Sequence, residues 1–278
     1  MNKLLSIVVV SLFSAYLLSA CTNKQSPITS MANISEKSVD NKLLVGEPMQ
    51  QALVIGNAQY QENSLTNPVN DAIDMANALN AQGFTVALQT NLDRIQIEKA
   101  IREFKKRLFA NEKSIGLFYF SGHGAQVDGK SYLIPVNNDE IEFNDDVQWK
   151  AVQVDKVLAQ MQGTKNGLNI IILDACRDNP YPLRPTKGDG NDGLASIAPP
   201  EGVFIGYATA PGRTASDFSK GGRNGLYTKH LLKAIQAKKR IDDVFMQVHN
   251  AVRQESKEEQ IPWYQASITK PFCFGGCP

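Results

Sequence analysis

Residues 168–180 read LNIIILDACRDNP, and the rest of the chain can be arranged around them. Ile170, Ile171, Ile172 and Leu173 form an unbroken apolar run, bounded by Gly167 on one side and a polar cluster on the other. Such a run fits a strand buried on both faces, as inside a parallel sheet. Asp174 and Cys176 fall at its carboxyl end. Open α/β sheets build their sites in the crevice beyond the strand ends.

Working outward, ALVIG at 52–56 is a second short buried strand, followed by a turn-rich loop over 57–68. Ile73, Ala76 and Leu79 have helical spacing within 71–82, and Gly83 stops that helix. A strand over 84–88 precedes a helix capped by Asn91 or Asp93 and running to about Phe109, with Ile97, Ile101, Phe104 and Leu108 on one face. SIGLFYF at 114–120 is another buried strand and leads into Ser121-Gly122-His123-Gly124. Asp128-Gly129 marks a hairpin. A helix over 154–161 precedes the opening strand, and a loop dense in Pro, Gly, Asp and Asn fills 177–201. VFIGYA at 203–208 is a fifth strand, with helices over 225–237 and 241–254. Strands alternating with helices predict an α/β fold with a mostly parallel sheet covered on both faces.

The chain carries 29 Lys and Arg against 28 Asp and Glu, a formal charge of +1, so no global field recruits nucleic acid. The composition is 42% hydrophobic and 21% charged, ordinary for one large domain with a full core.

The first 20 residues read as an export signal: Lys3 is the positive region, Leu4 to Leu18 the apolar region, and Leu18-Ser19-Ala20-Cys21 the exit. That tetrapeptide resembles the lipobox of bacterial lipoproteins, which implies cleavage before Cys21 and lipidation of its sulfur. Thr22 in place of Asp then implies outer-membrane sorting in a cell with two membranes. An ordinary secretory signal or an uncleaved anchor are the alternatives. Residues 21–48, rich in Ser, Asn, Lys and Thr without periodicity, read as a flexible tether, leaving 49–278 as the folded domain. In an oxidising envelope, Cys273 and Cys277 of CFGGC can close a small disulfide. The competing reading is two free or metal-binding thiols, although four-ligand zinc spacing is absent. Cys176 is left as a candidate reactive thiol.

A thiol nucleophile needs a base, and three histidines are available. His230 and His249 lie inside helical patterns and read as structural. His123 follows a buried strand between two glycines, where the backbone can turn sharply. The interval between His123 and Cys176 holds enough chain for a hairpin and a crossover helix, which returns both to one sheet edge.

Ser121-Gly122-His123-Gly124 and Asp174-Ala175-Cys176-Arg177 resemble the two catalytic motifs of the caspase-like cysteine peptidases, metacaspases and paracaspases included. Residues 207–212 (YATAPG) resemble the strand and loop that line the caspase cleft. The likeness runs from about Gln50 to Ile268. It implies a three-layer fold around a mostly parallel sheet of about six strands, with Cys176 as nucleophile and His123 as general acid/base. It also implies an oxyanion hole from the N–H groups of Gly124 and Cys176, with no carboxylate needed to complete a triad.

The same resemblance assigns a specificity pocket. Asn70-Asp71-Ala72 is similar to a metacaspase motif whose Asp joins the serine before Gly-His and the Asp before Ala-Cys in gripping a basic side chain. Asp71, Ser121 and Asp174 match those positions, and Asp217 falls where animal caspases place a pocket arginine. An anionic pocket implies a peptide or protein substrate with Arg or Lys at the cleaved position. Asp71 alone also reads as a helix cap. No cofactor is required. Calcium is possible by analogy with some metacaspases, but Asp139, Glu140, Glu142, Asp145 and Asp146 lack a fixed-spacing calcium loop and read as a solvated acidic loop. Arg184 and Lys187 are permissible self-cleavage sites. The expectation is a lipid-anchored, envelope-facing cysteine endopeptidase. Its rivals are a silent peptide-binding scaffold and a thiol-dependent peptide ligase or amidase.

Overall fold

The computed structural model describes residues 49–164, 166–176, 181–182, 199–210 and 222–277. The predicted signal and tether with Cys21, the loop sites Arg184 and Lys187, and Asp217 lie outside the described residues.

Six strands make the central sheet: β1 (Gln50–Gly56), β2 (Thr85–Thr90), β3 (Ile115–Val127), β6 (Leu168–Cys176), β7 (Val203–Tyr207) and β8 (Trp263–Ser267). Their spatial order is β2-β1-β3-β6-β7-β8. All neighbours run parallel except β7 and β8. Beyond its sheet portion, β3 turns at Asp128-Gly129 into β4 (Lys130–Leu133), which pairs with the two-residue β5 (Val152–Gln153). Both turn residues have positive φ, at 49° and 73°, as a tight hairpin turn requires.

Apolar side chains alternate along the central strands and so build two cores. On one face Val54, Leu117, Tyr119, Ile170 and Ile172 pack against helices α1 (Pro68–Ala81), α5 (Leu226–Ala234) and α6 (Ile241–Glu255). On the other, Leu53, Phe118, Phe120, Ile171 and Leu173 pack against α2 (Arg94–Phe109) and α4 (Val154–Gln162). The result is a three-layer α/β fold with the sheet fully covered at its centre.

Two local readings change, and a third, left between two caps, is resolved. Helix α1 starts at Pro68, because proline is preorganised for the first helical position and loses no hydrogen bond there. Asp71 is therefore inside the first turn and is not the cap. The acidic stretch is not a loop throughout: Asp145 and Asp146 begin α3 (Asn144–Lys150), where the Asp146 carboxylate accepts from the N–H groups of Glu142 and Phe143. Glu140 pairs with Lys150. Of the two candidate caps for α2, Asp93 closes a capping box with Gln96, while Asn91 accepts from the N–H groups of Ala58 and Gln59.

Candidate active site

The carboxyl ends of β1, β3 and β6 converge on one edge, and β3 and β6 set the register there. Ser121 is the Cα partner of Asp174, and His123 that of Cys176. For Cys176 the structure describes the backbone. A strand repeats its facing every two residues, so Ser121 and His123 lie on one side of the sheet, the side on which Asp174 of β6 also lies.

His123 is oriented by the loop after β1. Its Nε2 lies 2.6 Å from the Asn63 carbonyl oxygen. A carbonyl only accepts, so Nε2 carries the proton, and the basic nitrogen of the neutral ring is Nδ1. Asn63 has φ of 59°, a left-handed conformation that asparagine tolerates better than most residues. The Tyr60 ring packs on the imidazole with centroids 4.4 Å apart. Its hydroxyl accepts from the His123 N–H at 2.8 Å and donates to the Ile134 carbonyl at 3.3 Å. Since the Ile134 N–H donates directly to the His123 carbonyl, Tyr60 supplies the oxygen of one rung in the β3–β4 ladder. With His123 bonded toward β4, strand alternation turns the Gly124 N–H to the opposite side, that of β6.

Gly122 is required by this packing. A Cβ there would lie 2.4 Å from the Tyr60 hydroxyl, and its φ of 154° is one side chains rarely adopt. Gly56 has a similar role at the end of β1, where a Cβ would meet the Pro68 carbonyl at 2.2 Å. Its absence brings the first turn of α1, and hence Asp71, to the edge.

The acidic pair sits beside this edge at the start of α5. Asp71 is 1% exposed. Its carboxylate accepts from the Ser121 hydroxyl at 3.1 Å and the Gly225 N–H at 3.0 Å. Asp174 accepts from the Thr228 hydroxyl at 2.6 Å. Because Thr228 spends its only hydroxyl proton on Asp174, the Tyr119 hydroxyl, 2.5 Å away, is the donor to Thr228. Two buried hydroxyls thus point in series at one carboxylate. Burial, then the charges of Asp71 and Asp174, hold the Tyr119 hydroxyl well above the usual phenol range, so it remains a donor. A Cβ built on Gly225 would lie 3.3 Å from one carboxylate and 3.6 Å from the other, which shows how closely both approach this glycine. Asp74, one turn along α1, grips Arg223 through both carboxylate oxygens and also accepts from Asn224.

A family model described as Caspase domain matches residues 49–273, which is most of the chain. The chain belongs to the caspase-domain family. It is 30% identical over 207 residues to the mucosa-associated lymphoid tissue lymphoma translocation protein 1 homolog of Mus musculus, covering 73% of this chain and 24% of that protein. With the Homo sapiens protein it shares 29% identity over 192 residues, covering 68% and 22%. The chain thus spans less than a quarter of the length of these relatives. The family is that of the caspase-like cysteine peptidases.

Of the residues read as a caspase-like site, Asp71, Ser121, His123, Gly124, Asp174 and the Cys176 backbone fall at one edge of the sheet. His230 and His249 do not: the first pairs with Glu255 and the second bonds the Pro262 carbonyl. Cys273 and Cys277 form a disulfide in the C-terminal segment, where Cys273 bridges to Arg240. Among the described residues, no three His, Cys, Asp or Glu side chains converge to hold a metal ion. The sequence reading missed Tyr60, Asn63, Tyr119, Thr228 and Gly225. A polar Thr228 on the apolar stripe of Leu226, Tyr227 and Leu231 was the available signal for one of them.

Proposed function

We propose that the chain is a cysteine endopeptidase that cleaves after arginine or lysine, with Cys176 as nucleophile and His123 as general acid/base. One observation carries this reading: the double rung in which His123 faces Cys176 and Ser121 faces Asp174. His123 Nδ1 takes the thiol proton, the sulfur attacks the scissile carbonyl, and the same proton then goes to the leaving amine. Water attacks the thioester in the second half, giving up a proton to His123; the carbon–sulfur bond then breaks, the acid leaves and the Cys176 sulfur takes that proton back. The Asn63 carbonyl holds the ring in the tautomer this requires. The N–H groups of Gly124 and Cys176 receive the developing oxyanion, and the side of β3 to which Gly124 turns supports that role.

Asp71 and Asp174 offer two anionic centres to one guanidinium or ammonium group, with Ser121 beside them. Asp217, outside the described residues, is retained on the resemblance alone as a candidate partner of the same basic side chain. This chemistry requires no cofactor, and calcium is not assigned a site. The lipobox-like exit at Cys21 supports a lipid anchor in the bacterial envelope, with the domain facing the periplasm in a cell with two membranes.

The test is cleavage of a peptide library varied at the residue before the scissile bond. Turnover after Arg or Lys, absent after Asp and abolished in Cys176→Ala, is the expected result. A folded wild type that cleaves none of the library and resists thiol-directed active-site labels would leave a binding module as the better reading. Product masses showing joined peptides would favour a ligase.

A further inference from the structure

Resting on that reading, we infer that Asn138 is a positioning residue that couples the loop orienting His123 to the chain leaving Cys176. Asn138 is 1% exposed, on the segment after β4. Its Oδ1 accepts from the Glu62 N–H at 2.9 Å, and its Nδ2 donates to the Glu62 carbonyl at 3.0 Å. Both backbone polar groups of the residue before Asn63 are therefore held by one side chain. The peptide plane entering Asn63 is fixed, and the left-handed turn at Asn63 then carries the next carbonyl onto His123 Nε2.

The second Nδ2 proton goes to the Tyr181 hydroxyl at 3.2 Å. Tyr181 is five residues beyond Cys176 and packs into the small core formed by Tyr60, Ala125, Tyr132 and Ile134. Its neighbour Pro182 accepts from the Asn144 N–H. Asn138 thus joins two segments distant in sequence, one orienting the proposed base and the other continuing from the proposed nucleophile. The amide orientation is unambiguous, because exchanging oxygen and nitrogen would set like against like at both Glu62 contacts. A group placed this way acts by fixing geometry, and small misplacements of reacting groups are costly in rate.

The experiment uses the full chain with nitrogen-15 histidine labelling, the His123 signals being assigned by their loss in His123→Gln. Above pH 8 the wild type is expected to show the Nε2–H tautomer. Asn138→Ala and Asn138→Asp should both give a mixed tautomer. They should lower kcat by about tenfold or more while KM stays within about twofold. The aspartate variant keeps an acceptor for the Glu62 N–H but turns a carboxylate oxygen toward the Glu62 carbonyl, so it carries the test if the alanine variant does not fold. Tyr181→Phe, which spares both Glu62 contacts, should move the His123 signals in the same direction by less. An unchanged tautomer and kcat in a folded Asn138 variant would overturn the positioning role. Unmoved His123 signals in Tyr181→Phe would overturn the coupling. A wild type that cleaves no basic peptide, yet whose His123 tautomer responds to Asn138, would sink the peptidase reading and leave the positioning role standing.

Discussion

His123 and Cys176 are Cα partners in the parallel ladder between β3 and β6, two residues beyond the Ser121–Asp174 pair. Two residues along a strand span about 6.6 Å, roughly the length of a side chain reaching from one rung to the next. On the proposed reading, a substrate side chain entering beside Asp174 would leave its carbonyl near the His123–Cys176 rung, so that chemistry and selectivity would share one piece of backbone geometry.

Removing the imidazole should separate rate from fold. His123→Gln keeps a polar side chain against Tyr60 and is expected to lower kcat/KM by about 10²- to 10⁴-fold, the usual contribution of a positioned acid/base. Far-ultraviolet circular dichroism should be unchanged. Alkylation of Cys176 by iodoacetamide at pH 7 should slow in parallel, because the thiol loses its proton acceptor.

Neutralising the pocket should cost more for basic substrates than for the fold. Asp174→Asn is expected to lower kcat/KM for an arginine peptide by about 2 kcal/mol, roughly thirtyfold, by removing one charge-assisted partner. Thr228→Val keeps the shape but removes one donor to Asp174 and one hydrogen-bond partner of the Tyr119 hydroxyl. It should destabilise the chain by about 1–3 kcal/mol in urea unfolding and reduce the preference for arginine over a neutral residue.

Gly122 and Tyr60 should be coupled. Gly122→Ala forces a Cβ onto the Tyr60 hydroxyl and is expected to cost about 1–3 kcal/mol by overpacking, with added backbone strain. Tyr60→Phe removes the clashing oxygen but also breaks the rung to His123 and Ile134. In a double-mutant cycle the two losses should be less than additive, since the second substitution relieves part of the first.

The clamp between Asp74 and Arg223 predicts an acid-sensitive component of stability. The hydrogen bond from Arg223 is the largest influence holding the Asp74 carboxyl below the usual aspartate range. A carboxyl lowered in the native state stabilises the fold fully above its unfolded pKa, and that contribution disappears as pH falls through the lowered native value. The difference in urea midpoint between wild type and Asp74→Asn should be greatest near neutrality and should vanish under strong acid. A constant difference across the titration would contradict the assignment.

Much of the architecture was legible because buried parallel strands announce themselves as unbroken apolar runs: IIIL in β6 and GLFYF in β3 need no partner to be read. Helix α3 was hidden because Asn144 and Val147 are its buried residues, too few to set a period, while its acids suggested solvent. Strand β8 was hidden because WYQAS is only partly buried along most of its length and lacks alternation. At the site, Asp71, Ser121, His123, Asp174 and Cys176 could be named from short motifs. Asn63 could not, because it acts through a carbonyl that every residue possesses. Asn138 acts across 76 positions on a backbone, and Tyr119 looks in sequence like one more aromatic of an apolar strand.

The phenol of Tyr60, inserted between the His123 N–H and the Ile134 carbonyl, stitches the segment after β1 into the sheet as though it were itself a strand. Surface loops ordinarily absorb insertions and deletions with little penalty. This one is bound at Tyr60, at Gln61 through the Val136 carbonyl, and at Glu62 through Asn138, so its length is fixed to the residue. Redesign of the cleft must therefore proceed here by exchanging side chains, and variation in chain length belongs elsewhere.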